Sequence, residues 1–481
     1  MRLGRAAIVV VIVAVLLLVS GLAIVSQRPS NITTSNSSSH NSSQTTVINT
    51  VSTYSSTTNN LLGGPLWTTY HMDNSRTGFD SSIQNLGRVS SAWNSSNLDG
   101  AVYAEPLLAD HMLFVATEND SVYALNESSG IQIWRTNLGT PIPGNSLPCG
   151  DIDPSGITGT PVIDVSTGAI YVVAYVEPGS HELFSLNLKT GSTMFERAID
   201  PPGADVSVLQ ERGALALANG MVYVPYGGLD GDCGDYKGWV VGAAVNNTGP
   251  LVSYVVPTQR EAGIWAAAGI TVESSGDLLI ATGNGASTSS SSFDYGDSVI
   301  ALSPALQVLG YWAPTDWASL NAGDVDIGSI SPSLVGNNTV FQSGKNGQGY
   351  LLNENSLGGI GGEKYSGQVC DSAFGGTAYA APLLFVPCTS GLFALRINAG
   401  SNPSFTPLWN ATGYWAGPPI VSGGAVWTID TSDSILYAYS LNNGTVLFEY
   451  QLGSVVTFET LTSGGGLIFL VDGTTVSAFD I

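Results

Sequence analysis

EPLLADHMLFVATENDSVYALNESSGIQIWRTNLG (residues 105–139) decides how this chain folds. It reads as an apolar strand, a turn, a second apolar strand, a polar turn, the strand VYALN, a Ser-Gly turn and a strand holding Trp134. Val, Tyr, Phe and Trp favour strands, and Asn, Asp, Ser and Gly punctuate them as turns. The pattern then returns. TPVIDVSTGAIYVVAYVEPGSHELFSLNLKTGSTMFERAI (160–199) and AGPPIVSGGAVWTIDTSDSILYAYSLNNGTVLFEYQLG (416–453) repeat it nearly element for element. Further copies begin near Ala214, Ala268, Gly328 and Gly376. Four short strands in each repeat of about 40–50 residues make a propeller blade.

The last copy, TFETLTSGGGLIFLVDGTTVSAFDI (457–481), supplies three strands and stops. Its missing outer strand has a candidate upstream, VSSAWNSS (89–96), which has no repeat of its own. Pairing residues of about 88–96 with 457–481 would close the ring and leave no sheet edge open. The expected fold class is therefore all-β, an eight-bladed β-propeller of four-stranded antiparallel blades over residues 64–481. The irregular fifth repeat (326–360) leaves seven blades as the alternative.

Ahead of the repeats, Arg2 and Arg5 precede an apolar run from Ala6 to Val19 that resumes as far as Val25. That is about 20 residues, or ~30 Å as a helix, enough to span a bilayer. A cleaved signal peptide has a shorter apolar core of roughly 7–15 residues, so an uncleaved signal anchor over 1–26 is expected. The arginines keep the start inside and send the rest to the extracellular side. Residues 27–63 are dominated by Ser, Thr and Asn and read as a disordered stalk. Glycosylation acceptors lie at Asn31, Asn36, Asn41, Asn94, Asn119, Asn126, Asn246, Asn337, Asn410 and Asn443.

Acidic residues outnumber basic ones by 37 to 14, a formal charge of -23, which excludes nucleic acid as a partner and permits cations. Only 11% of residues are charged, a balance suited to an acidic exterior. The four cysteines fit an oxidising compartment. Spacing alone allows three pairings. Cys370 and Cys388 flank one apparent strand pair, and Cys149 and Cys233 lie in long loops of neighbouring repeats, so Cys149–Cys233 and Cys370–Cys388 are the expected disulfides.

The repeat ending seen as YALNESSGIQIW (123–134) and FSLNLKTGSTMF (184–195) resembles the quinoprotein, or PQQ-like, repeat of PQQ-dependent alcohol dehydrogenases. WTTYHMDNSRTGF (67–79) resembles the opening segment of such propellers. GITGTPVID, ATGNG, DYGDSVIALSP and GKNGQGYLLN resemble a group of secreted members. The resemblance implies a quinone over the central funnel, stacked on a tryptophan and bridged to calcium. Trp265 in AGIWAAAG matches the tryptophan, with Ala266, Ala267 and Ala268 leaving space above it. Asn284 in ATGNG matches an amide ligand of calcium, and Lys345 in GKNGQGY a basic residue at the quinone oxygens. Cys233 lies near the place of the family's calcium-ligating glutamate, and Asp232 or Asp235 would substitute with a shift of backbone, Asp232 being the expected metal ligand. Ser303 in IALSP stands where the family's catalytic aspartate is expected, so no catalytic residue is assigned. Trp134 and Trp409 are expected to pack between blades.

One expectation is independent of the family. Loops from each fourth strand to the next blade, and between second and third strands, open on one face of a propeller. There the chain carries Asp151, Asp153, Asp230, Asp232, Asp235, Asp294, Asp297, Asp324 and Asp326, oxygen donors suited to calcium. Asp is also an ordinary turn residue. The expected function is a non-enzymatic binding or scaffolding module at the cell surface for a protein or glycan partner. The alternative is a PQQ- and calcium-dependent dehydrogenase or a non-catalytic quinone binder.

Overall fold

A computed structural model describes residues 63–481. The expected anchor, the stalk up to residue 62 and the acceptors Asn31, Asn36 and Asn41 lie outside the described residues. Among the described residues no helix is long and apolar enough to cross a membrane.

Eight antiparallel blades follow one another along the chain, six with four strands and two with an added fifth. In the first blade, Met112–Thr117 and Ser121–Asn126 are buried almost throughout, whereas the outer strand Gln132–Asn137 is mostly exposed. That gradient explains the sequence pattern, because a strand covered on both faces reads as a continuous apolar run. The irregular fifth repeat is a true blade, built from Ser333–Leu334, Thr339–Gln342, Gln348–Asn353 and Tyr365–Gln368. It looked irregular because Gly359–Ile360 leaves it to pair in parallel with Val308–Ala313 of the fourth blade. Ring closure is antiparallel pairing of Ser90–Asn94 with Thr475–Asp480, in the register Ser90 to Asp480 and Asn94 to Ser477.

Neighbouring blades are locked by tryptophans on outer strands. The indole N–H of Trp134 donates to Leu188 O at 2.8 Å, that of Trp409 to Leu441 O at 2.9 Å, and that of Trp93 to Glu127 O at 3.0 Å. Each ring lies over a glycine of the next blade: Gly191, Gly444 and Gly130. A Cβ on Gly191 would stand 2.5 Å from Trp134, and its φ of +68° is one that L side chains rarely adopt. Gly191→Ala should therefore cost about 2–4 kcal/mol in urea unfolding through strain and overpacking. Gly220→Ala, with a φ of +72° but open space around it, should cost about half as much.

The segment Trp67–Asp80 seals one end of the central channel. It bonds to seven of the eight blades, through Leu108, Ile163, Leu215, Val272, Tyr379, Val421 and Ser463. Arg76, 2% exposed, holds it to the ring. Its guanidinium donates to Ile270 O, Thr69 Oγ1, Tyr70 O and Leu215 O at 2.6–3.1 Å. Tyr70 of this plug packs on Ala268 and Ala214. The small residues after Trp265 thus make room for Tyr70.

Both expected disulfides form, Cys149–Cys233 and Cys370–Cys388, with Cα separations of 6.1 and 6.5 Å. Of the acceptors within the propeller, Asn94, Asn246, Asn337, Asn410 and Asn443 are exposed. Asn119 and Asn126 are partly buried and already hydrogen-bonded to Asp99 and Ser128.

Candidate functional site

The open end of the channel is a funnel of about 480 Å³. Its lining comes from the loops of one face, contributed by blades whose sequence positions span more than 300 residues, from Asp151 to Phe458. Trp265, Asn284, Lys345 and Asp232, each singled out from sequence, all line it. Of the nine loop aspartates, Asp151, Asp230, Asp232, Asp324 and Asp326 line it too. Asp153 instead caps the turn at Gly144, and Asp294 organises its own loop through Thr258 and Ser287. Asp297 is fully buried and accepts from Ile327 N.

Lys345 is the hub. Its ammonium bonds Asp326 Oδ2 at 2.6 Å and Asp324 Oδ1 at 2.8 Å, and lies 5.8 Å from the centre of the Trp265 ring. Burial works to lower its pKa, but the two carboxylates outweigh burial and hold it above the ordinary lysine value, so it stays protonated. Asn284 completes the group. Its backbone N–H donates to Asp326 Oδ1 at 2.7 Å and its side-chain amide to Asp324 Oδ1 at 2.8 Å. Its carbonyl oxygen Oδ1 is buried and has no donor among the described residues. Gly283 in the ATGNG motif must be glycine, since a Cβ there would stand 2.3 Å from Asp326 Oδ1 and 3.0 Å from the Trp265 indole nitrogen.

Asp232 accepts from the Tyr236 hydroxyl, and its main-chain oxygen accepts from Arg260 at 3.0 Å. Across from it, burial raises the pKa of Glu261. Arg260 opposes the rise, while Asp232, Asp326 and Asp324 add to it. The funnel is therefore crowded with negative charge.

Sequence reasoning missed the aromatic wall. Phe374, Trp415 and Phe458 line the funnel beside Trp265, with Phe374 and Phe458 centred 6.2 and 6.5 Å from it. Arg212 lies over Phe458 at 4.9 Å and Tyr103 at 5.6 Å. A signal was present. Tyr103, Arg212, Phe374 and Phe458 each stand four residues ahead of an inner strand, beginning at Leu107, Ala216, Ala378 and Thr462. Aligning the repeats at those strands would have found a ring pointing at the axis.

Ser303 is not part of this site. It sits in the turn between Val299–Leu302 and Val308–Ala313, where Ser303 Oγ accepts from Gln307 N at 3.1 Å. The carboxylate beside Trp265 and Lys345 is supplied by Asp324 and Asp326. A serine in place of a base is therefore not what this funnel presents.

Comparison with known proteins accords with this architecture. A PQQ-repeat family profile described as outer membrane protein assembly factor BamB matches residues 58–305, just over half of the chain. No protein of curated function matches the sequence. Among solved structures, a quinohemoprotein alcohol dehydrogenase from Comamonas testosteroni superposes with a TM-score of 0.66 at 16% identity, covering 86% of this chain and 80% of that one. A europium-containing methanol dehydrogenase gives 0.66 at 14%, covering 87% and 98%. BamB from Moraxella catarrhalis gives 0.55 at 14%, covering 82% and 98%. At such identities the likeness carries the fold, not the chemistry. Together with the family match and the eight blades, it makes this chain a member of the PQQ-like repeat family of β-propellers.

Proposed function

We propose that the chain is a membrane-anchored propeller, held on the extracellular side by its N-terminal segment and glycosylated stalk, whose funnel binds a quinone-class cofactor of the PQQ type together with calcium. The observation that carries this reading is the convergence of Trp265, Asn284 and Lys345 with Asp324 and Asp326 in one cavity. The residues fit the cofactor chemically. Trp265 offers a ring on which a planar ligand stacks. Lys345 is a fixed donor for carbonyl oxygens. The unpartnered Asn284 Oδ1 and the neighbouring carboxylates are the hard oxygen donors that calcium prefers.

The quinone, when bound, supplies a two-electron acceptor. The chain's own residues supply the rest. Asp324 is exposed over 69% of its side chain and, among the described residues, is engaged only through Oδ1. Its other oxygen is placed to accept the proton of a hydroxyl entering the funnel. The tight pairing of Asp326 with Lys345 fixes the geometry in which it does so.

Titration of the full chain with PQQ and calcium, followed by calorimetry, tests this reading. Saturable heat is expected, lost in Trp265→Ala and weakened at least tenfold in Lys345→Ala. Absence of heat at any calcium concentration would overturn it. A second reading, a non-catalytic binding module, is favoured by the ion pairs that already occupy Lys345 and by the aromatic wall beside Trp265. In that case the rim would dock an envelope partner.

A further inference from the structure

A second group of carboxylates lies between the first and second blades, apart from the group around Lys345. The turn joining Met112–Thr117 to Ser121–Asn126 reads Glu118-Asn119-Asp120. Asp120 is 0% exposed and Glu118 1% exposed. Neither carboxylate oxygen of Asp120 has a partner among the described residues, and Glu118 Oε1 has none either. Glu118 Oε2 accepts from Gly156 N at 2.7 Å. A Cβ on Gly156 would stand 2.6 Å from Asp120 Oδ1 and 2.3 Å from the main-chain oxygen of Glu118. Asp120 Oδ1 and the Glu118 carbonyl oxygen therefore close on Gly156, whose N–H is held by the Glu118 carboxylate. No lysine or arginine pairs with either carboxylate among the described residues.

A buried carboxylate with neither oxygen partnered, beside a second with one oxygen open, carries a desolvation cost that one peptide N–H and the more distant Arg212 offset only in part. The oxygens are of the type, and in part of the arrangement, that a hard divalent cation requires: one carboxylate with both oxygens open, a second with one, and a carbonyl. We propose that Glu118 and Asp120 bind a divalent cation of the calcium class at the junction of the first two blades, separately from any ion in the funnel. Water completes its shell. The ion joins the turn of one blade to the segment Ser155–Thr160 that leads into the next, so its role is to lock the blade junction at the funnel rim.

The test is calorimetric titration of calcium into the chelator-stripped full chain at neutral pH, with thermal unfolding in parallel. A site with a Kd on the order of 10⁻⁴ M is expected, as for extracellular calcium modules. It should be lost in Asp120→Asn, weakened at least tenfold in Glu118→Gln, and retained in Asn284→Ala, which removes the funnel's own candidate ligand. The melting temperature should rise with calcium in wild type and Asn284→Ala but not in Asp120→Asn. Calcium binding that survives Asp120→Asn and vanishes in Asn284→Ala would place the only ion in the funnel and overturn the proposal. So would an unmoved melting temperature in wild type combined with an Asp120→Asn variant more stable than wild type in chelator. That result would mean the pair holds protons instead. None of these outcomes depends on whether PQQ binds.

Discussion

Arg76→Met should destabilise the propeller by about 3–6 kcal/mol, read as a fall in the urea midpoint. The methionine fills the volume but donates nothing. The carbonyls of Ile270 and Tyr70 would then be buried without the arginine donor, at a cost of roughly 1–3 kcal/mol each, and Leu215 O would keep only Thr69 Oγ1. Burial pulls the Arg76 pKa down to about 10, so the guanidinium is still charged at neutral pH, with Glu105 among the carboxylates that favour its charge. A domain is stable by only about 5–15 kcal/mol, so this single contact decides whether the plug stays seated. Arg88→Met, at an exposed arginine just outside the plug, should change stability by less than about 0.5 kcal/mol. Equal losses in the two variants would remove the plug's special role.

Acidification should stabilise this protein, against the usual trend. Burial raises the carboxyl pKa of Glu105, Glu211, Asp297 and Glu459, and of Glu273 to about 7. In the unfolded chain such groups titrate near 4. Between those values the folded state holds protons that the unfolded chain has released. Stability from these groups is thus full below about pH 4 and is lost as pH rises through each group's raised folded-state value, about 7 for Glu273. His71 works the other way: burial pulls its pKa down to about 3, and its stabilisation is lost as pH falls below 6.5. It is one group against five. Asp99, Asp164, Asp200 and Asp371, held low by hydrogen bonds, lose their contribution only below about pH 4, which sets the acid limit. With chelator present, the melting temperature should be about 5 °C higher at pH 5 than at pH 7.5. Glu459→Gln, which keeps the acceptor for Val456 N, should flatten that slope. A melting temperature that falls from pH 7.5 to pH 5 would mean these carboxyls are compensated in some other way. The expected trend agrees with the low charge of the chain, which suits an acidic exterior.

The repeats and the ring closure were legible in the sequence because each rests on local periodicity or on an orphan that has one place to go, whereas spacing left the cysteines three pairings and only their places in the repeats chose between them. Trp93, Trp134 and Trp409 dock as repeat logic requires, since every blade must present the same face to the next. The fifth blade was obscured because Gly359–Ile360 pairs outside its own repeat, a choice that depends on the neighbouring sheet. The site divides along the same line. Propeller loop geometry placed the loop aspartates toward one end of the ring, and the family resemblance placed Trp265, Asn284 and Lys345 over the funnel. Only the tertiary structure decided which of them meet. Lys345 chose Asp324 and Asp326 over seven other loop aspartates, Ser303 fell in an outer turn, and Tyr70 took the space beside the alanines. The physical reason is that facing the axis is fixed by strand alternation within one blade, whereas contact across the axis depends on side-chain length, charge and packing among blades hundreds of residues apart.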